Sequence, residues 1–319
     1  MITIAVCIPT YCRPVFLREA IDSCLRQTRL PDEIVIEDNS PDEATEHMVR
    51  ALQQQSPVPL SYAHVRERRS QAENFNAMIQ RVSSSHVVLL HDDDVLLSNA
   101  LTDLSACWDR HPDLTAAYGK QYIMSDAGIV DIRESERLNT DYFRTADREG
   151  PQEWASFPGL SQQFPNDGFL LQAAAARAIL WRPGVSHGCE FDFQLRLCLQ
   201  FRGFCFVDRY TMQCRRSRVS VSQHKTDDTA LSAFRVLKKT VLPEEAEKLR
   251  RVKLRELAPP AAMQALQTGD RAEALRIYWG EFYPWRRRLT ALGIFQLGRL
   301  ILPEPLVAFL RRQARVRET

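Results

Sequence analysis

No glycine-rich phosphate loop occurs in this chain. Its 12 glycines are scattered over 319 residues, and neither G-x-G-x-x-G nor a Walker-type turn can be drawn through them. Any phosphate it binds must therefore be held by other means. Paired metal-ligating cysteines are missing too. The eight cysteines stand at 7, 12, 24, 107, 189, 198, 205 and 214, none in C-x-x-C spacing, which argues against a zinc site. Several sit in apolar runs, as buried thiols do. Net charge is scarce, +2 overall, and names no nucleic-acid partner. No basic leader precedes Ile2–Ile8, which runs straight into Pro9, so a reducing, cytoplasmic protein is expected.

What is present is an ordinary globular composition, 45% hydrophobic and 26% charged. The length suits one large α/β domain plus an appended module, or two domains. Ile2–Ile8 is short, apolar and β-branched, as a buried strand is. Pro14 opens a helix with Phe16, Leu17, Ala20, Ile21, Cys24 and Leu25 at helical spacing. Glu33–Glu37 reads as a second strand. Ser40-Pro41-Asp42-Glu43 has the form of a capping box for a helix through about residue 54, and Ser70-Gln71-Ala72-Glu73 that of another, through about Val82. Leu60–Val65 and His86–Leu90 read as the third and fourth strands. This alternation predicts a mainly parallel, Rossmann-like sheet with right-handed crossovers. Thr115–Met124 and Ile129–Ile132 read as a hairpin, and the polar residues 133–168 as an acceptor-side loop region. Helices are expected at Ala173–Trp181 and Phe191–Phe201, a strand at Phe204–Val207, and helices from Asp227 onward.

Sheets of this class bind ligands beyond the carboxyl ends of their strands. Three polar clusters fall there: Thr10-Tyr11, Asp38-Asn39-Ser40, and His91-Asp92-Asp93-Asp94. Three adjacent carboxylates repel one another and resist desolvation. A divalent cation would cancel that repulsion and favours oxygen ligands.

These segments resemble the family 2 inverting glycosyltransferases of GT-A fold, up to about residue 215. Ile8-Pro9-Thr10-Tyr11-Cys12-Arg13 is similar to the family's P-T-Y-N-R opening, with Cys12 for the usual Asn. Glu37-Asp38-Asn39-Ser40 resembles its D-D-G/N-S turn. Asn74-Phe75-Asn76 followed by His91–Asp94 resembles its N-W/F-N…HDDD variant, and Cys189-Glu190-Phe191-Asp192 with Leu195-Arg196-Leu197 its E-D-x-D-L-x-L-R-L helix start.

The resemblance implies a sugar moved from a nucleotide-diphosphate donor, UDP- or dTDP-linked, to a hydroxyl of a glycan or lipid-linked acceptor in bacterial surface-polysaccharide synthesis. It implies Pro9, Thr10, Tyr11, Arg13, Asp38, Asn74, His91 and Asp92 at the donor nucleotide, and Mn²⁺ or Mg²⁺ on Asp93 and Asp92. Glu190 matches the general base, with Asp192 as the competing choice. Where the family carries a metal-ligating histidine in an R-x-H context, this chain reads Arg215-Arg216-Ser217, leaving His224 as a substitute ligand or water to complete the shell. Two other readings stand beside this one. A non-catalytic nucleotide-sugar-binding scaffold would keep the fold. A sugar nucleotidyltransferase would want a glycine-rich basic loop after the first strand, which Pro9–Arg13 is not.

The expected division is a catalytic domain over 1–225 and a helical extension over 226–319. From Glu281 onward the charge is +5, leaving −3 for the rest. Gln296, Arg299, Glu304 and two prolines interrupt the apolar stretch of this tail, so it does not read as a span. Its basic flanks fit a peripheral membrane contact through 285–317, at the inner face of the cytoplasmic membrane; the other reading is a helical hairpin packed on the catalytic domain.

Overall fold

The computed structural model describes residues 2–67, 69–216 and 228–302. They form two compact units, one ending near residue 220, the other made of Ser186–Gly188 and the C-terminal helices.

The first unit begins with β1 (Ile4–Thr10), α1 (Pro14–Leu25), β2 (Glu33–Asp38), α2 (Ala44–Gln53), β3 (Leu60–His64), α3 (Gln71–Arg81) and β4 (His86–Leu89). Then come β5 (Val95–Leu96), α4 (Ala100–Arg110), β6 (Ala116–Met124), β7 (Val130–Asp131), α5 (Ile132–Asp141) and β8 (Gly150–Pro151). It ends with α6 (Ser156–Ser161), β9 (Leu170–Gln172), α7 (Ala173–Ile179), α8 (Cys189–Gln200) and β10 (Phe204–Arg215). The sheet order is β3-β2-β1-β4-β9-β6-β10-β5, with β7 on β6 and β8 on β10. The pairs β3/β2, β2/β1, β1/β4 and β6/β10 are parallel. The inserted β9 is antiparallel to both neighbours.

Strands β1 and β4 are apolar because both their faces are covered. Burying each Ile or Val there contributes about 1.5–3 kcal/mol. From β1 the chain steps outward to β2 and β3, then returns to the other side of β1 as β4. That reversal is the crevice where such sheets take ligands. It brings the ends of β1, β2 and β4 together, with Thr10 in register with Asp38.

Two expectations require correction. The Ser40 capping box does not form: α2 starts at Ala44 without a side-chain cap, and the Ser40 hydroxyl accepts the Cys12 N–H at 2.8 Å. A tertiary partner outcompetes the local one. Residues 133–168 are not simply loop, since they contain α5, β8 and α6. The face of α5 that is buried is polar. Ser135 accepts the Ile123 N–H, and Asn139 accepts the Gln121 N–H and donates to its carbonyl. The box at Ser70 does form, in both directions.

The second unit contains α9 (Thr229–Lys239), α10 (Glu247–Gln267), α11 (Arg271–Trp279), α12 (Trp285–Arg288) and α13 (Ala291–Ile301). Asp228 holds Ser186 and His187, with His187 Nδ1 2.8 Å from its carboxylate. Among the described residues no helix is long and apolar enough to cross a membrane.

Candidate active site

The end of β1 leaves the sheet through a left-handed residue, Cys12 at φ +55°. Asn adopts this conformation more readily than most residues, which accounts for the residue usual at this position. The turn buries Thr10 and leaves Tyr11 56% exposed, so Tyr11 is a surface group and not core. It also aims Arg13 at the acidic run. Arg13 Nη1 lies 3.2 Å from Asp92 and 2.9 Å from Asp93. Asp92 is buried and accepts the Thr10 hydroxyl at 2.7 Å and the Tyr11 N–H at 3.4 Å. Burial pushes its carboxyl above the ordinary range, Arg13 pulls against that, and Asp93 adds repulsion. Asp92 and Asp93 thus turn two carboxylate oxygens towards one cationic group, Arg13. These residues therefore fit an oxygen-seeking metal.

The outer two residues of the run face a second cluster. His91 Nε2 is 3.2 Å from Glu190 Oε1, and Nδ1 is 3.8 Å from both Asp94 and Asp167. The His91 N–H donates to Asp167 at 3.0 Å, and Asp94 accepts the Arg215 N–H at 2.7 Å. Burial disfavours the charged imidazole, but Asp167, Glu190 and Asp94 outweigh it and raise the His91 pKa well above its ordinary value. Asp94 is likewise raised, by burial and then by Asp167. The His91, Asp94 and Asp167 ligand atoms lie within 4.8 Å of one another.

Glu190 stands in the first turn of α8. Its Oε1 accepts the Gln71 amide at 2.8 Å, on the same oxygen that meets His91. Asp192, two residues on, is not part of this constellation. It is 1% exposed and salt-bridged to Arg196 at 2.7 Å and Arg182 at 3.3 Å. Arg196 also donates to the carbonyls of Ile179 and Leu180, so the pair clamps the end of α7.

Asp38 is fully buried at the end of β2, accepting the Ser40 N–H at 2.8 Å and the Tyr62 hydroxyl at 2.7 Å. Asn74 lies buried in α3, its Oδ1 without a partner among the described residues, whereas Asn76 is spent on the backbone of Trp181. Pro9 sits in β1, directly before Thr10 and in register with Glu37 of β2. His224 lies outside the described residues. Asp167, Gln71 and Arg215 touch these groups, and the sequence pattern gave none of them a place at the donor or the base. The only available signal for Asp167 was the turn Asn166-Asp167-Gly168, whose glycine has φ +71° and donates to Leu89.

Comparison with known proteins bears on this geometry. The model of Glycosyl transferase family 2 matches residues 5–161, the stretch that builds the crevice. The domain over these residues belongs to this family. Among curated proteins it is 28% identical over 142 residues to the abequosyltransferase RfbV of Salmonella typhimurium, covering 43% of this chain and 42% of that one. It is 31% identical over 101 residues to the GalNAc(5)-diNAcBac-PP-undecaprenol beta-1,3-glucosyltransferase of Campylobacter jejuni, covering 32% and 33%. The chain thus spans less than half the length of either relative. Among solved structures, S. aureus TarS 1–349 in complex with UDP-GlcNAc superposes with a TM-score of 0.59 at 15% identity, covering 96% of this chain and 83% of that one. The mannosyltransferase PcManGT from Pyrobaculum calidifontis, in complex with GDP-Man and Mn²⁺, gives 0.57 at 14%, covering 94% and 86%. At such identities these likenesses show the fold alone: the first unit has the GT-A architecture of a glycosyltransferase, a mixed, mostly parallel sheet flanked by helices.

Proposed function

We propose that the chain is an inverting glycosyltransferase that moves a sugar from a nucleotide-diphosphate donor to an acceptor hydroxyl. Donor handling and chemistry fall to 1–225, and 226–319 is an extension. The observation that carries the reading is one acidic run facing two ways. Asp92 and Asp93 meet a cation at the end of β1, and His91 of the same run touches Glu190.

In this reading Asp93 and Asp92 hold Mn²⁺ or Mg²⁺, in exchange for Arg13. His224 is a further ligand in the proposal. The bound ion would supply charge to the departing diphosphate. Tyr11 offers an exposed ring for the nucleoside, with Pro9 and Thr10 behind it. Asp38 at the neighbouring strand end and Asn74 Oδ1 are offered to the base and ribose. Glu190 is the general base. Its Oε1 is fixed by Gln71 and His91, and Oε2 has no hydrogen-bond partner among the described residues to compete with an acceptor proton. Asp192 is the weaker choice, since both its oxygens are engaged by arginine.

We further place the protein at the inner face of the cytoplasmic membrane, with a glycan or lipid-linked acceptor in surface-polysaccharide synthesis. The undecaprenol-linked acceptor in the name of the Campylobacter jejuni relative supports this reading. The donor is a UDP- or dTDP-sugar in this proposal. The experiment is thermal unfolding against UDP, GDP, CDP and dTDP, each with and without Mn²⁺. Saturation by the right nucleotide at about a hundred times its Kd adds about 2.7 kcal/mol. A shift with one nucleotide that depends on metal is expected. No shift with any of them sinks the donor-site reading.

A further inference from the structure

The helix α13 packs the wrong way round for a soluble hairpin. The residues it buries are Gly293, Gln296 and Leu300. Gly293 lies so close to the preceding helix that a Cβ there would collide with the Arg287 carbonyl oxygen. The Tyr278 hydroxyl donates to the Gly293 carbonyl at 3.2 Å, and the Tyr283 hydroxyl donates to Gln296. Arg271 caps the far end through the Leu302 carbonyl at 3.1 Å. These contacts fix the rotation of the helix and turn its apolar side outward. Leu292 is 51% exposed, Ile294 61%, Phe295 56% and Ile301 59%.

A cavity of about 440 Å³ lies in the same unit, lined by Trp279, Trp285, Arg255, Arg286 and Arg288, with Glu281 the one acid among the described residues that line it. Arg286 stacks over the Trp285 ring at 5.5 Å, and Arg288 over Trp279 at 5.4 Å. Residues 285–302 contain four arginines and no carboxylate. Leaving four large apolar side chains in water is unfavourable unless something covers them. An apolar helix face beside indole rings and arginines matches the layering of a bilayer surface: hydrocarbon, headgroup, phosphate.

We infer that the C-terminal unit carries a docking surface for an anionic lipid bilayer, formed by the outward face of α13 together with the arginine- and tryptophan-lined cavity. Phosphate headgroups occupy the cavity, and Leu292, Ile294, Phe295 and Ile301 enter the acyl boundary. A second copy of the chain is a poorer occupant. A two-fold pairing through this face would set the same arginines against each other, with no carboxylate in 285–302 to offset them. The inference gives chemistry to the membrane-face placement above and rests on it, but not on turnover.

The test is co-sedimentation of the full chain with vesicles of phosphatidylcholine alone, or with phosphatidylglycerol added, without donor or acceptor. Binding is expected to rise with phosphatidylglycerol and to fall as salt is raised. The double variant Leu292→Glu/Phe295→Glu should bind about tenfold more weakly or worse, with an unchanged far-UV circular dichroism spectrum and melting temperature. Arg286→Glu should weaken binding only to the anionic vesicles. Absence of binding to either vesicle overturns the inference. So does a double variant that binds like the parent, which would move the contact elsewhere in the chain. A parent dimer that the double variant dissociates, without vesicle binding, would assign the face to a second copy. Each of these results leaves nucleotide-dependent thermal shifts untouched, so the donor-site reading stands or falls separately.

Discussion

Two regions of this molecule break the usual partition of residues in opposite ways. At the sheet edge, charge is taken out of water: Asp92, Asp94, Asp167 and Asp38 are all at most 6% exposed. On α13, hydrocarbon is left in water. The first arrangement is costly unless the charges are compensated, and each carboxylate there has a named donor beside it. The second is costly unless a partner covers it. In both cases a violation of the partition points to a site, because neither would serve a fold that only had to be stable.

The sharpest way to break the comparison at the edge is to separate its two helix carboxylates. Glu190→Gln should lower kcat by about 10²–10⁴-fold, the range for a lost general base, while metal-dependent nucleotide binding is kept. Retained turnover would return the base to Asp192. Asp192→Asn should do the reverse. It strips the partner from Arg196, a buried pair whose breaking costs about 3–5 kcal/mol in urea unfolding, while turnover per folded molecule changes little. If Asp192→Asn instead melts like the parent but no longer turns over, the clamp is catalytic and the assignment is inverted.

The residues that carry these predictions were unequally visible in the sequence. The alternation through β4, the Ser70 cap and the acidic run were legible because each is a local pattern, with its period or spacing written in adjacent residues. Glu190 against Asp192 was not. Both sit in one helix start, and only the tertiary partners, Gln71 and His91 for one and two arginines for the other, tell them apart. Asp167 was missed because its surroundings read as loop. The helix α5 gave no apolar stripe, since Ser135 and Asn139 are the face it buries. Strand β9 is three residues long and antiparallel in an otherwise alternating pattern, so it left no period to find. Ser40 shows the converse failure, a correct local signature overridden by Cys12.

A smaller effect sharpens the comparison on α13, by setting its two faces against each other. Phe295→Ser on the outward side should leave stability within about 0.5 kcal/mol, as for an ordinary surface change. Gly293→Ala on the inward side should cost about 1–3 kcal/mol, because the Arg287 carbonyl has to move aside. Guanidinium unfolding of both variants checks this. Equal costs would mean that the apolar side is already covered in solution.

The smallest effect is a pH dependence, and it tests whether compensation or burial alone governs charge at the edge. His86 and His91 stand at opposite ends of β4. His86 is buried beside Trp108, 4.7 Å between ring centroids, and its Nδ1 meets the Ser85 hydroxyl. Burial, helped by Arg29, lowers its pKa from 6.5 to about 4. The unfolded chain therefore binds more protons here than the folded one between those values, and the His86 contribution is lost as pH falls from 6.5 towards 4. His91 has the opposite sign. Its folded pKa is raised by three carboxylates, so its contribution is fully present below 6.5 and is lost as pH rises through the folded value. Stability profiles of His86→Phe and His91→Gln, each subtracted from the parent, should diverge on opposite sides of neutrality: the first below pH 6.5, the second above it. If both differences appear on the acid side, burial dominates at His91 as well, and the carboxylates around it are neutral in the folded protein.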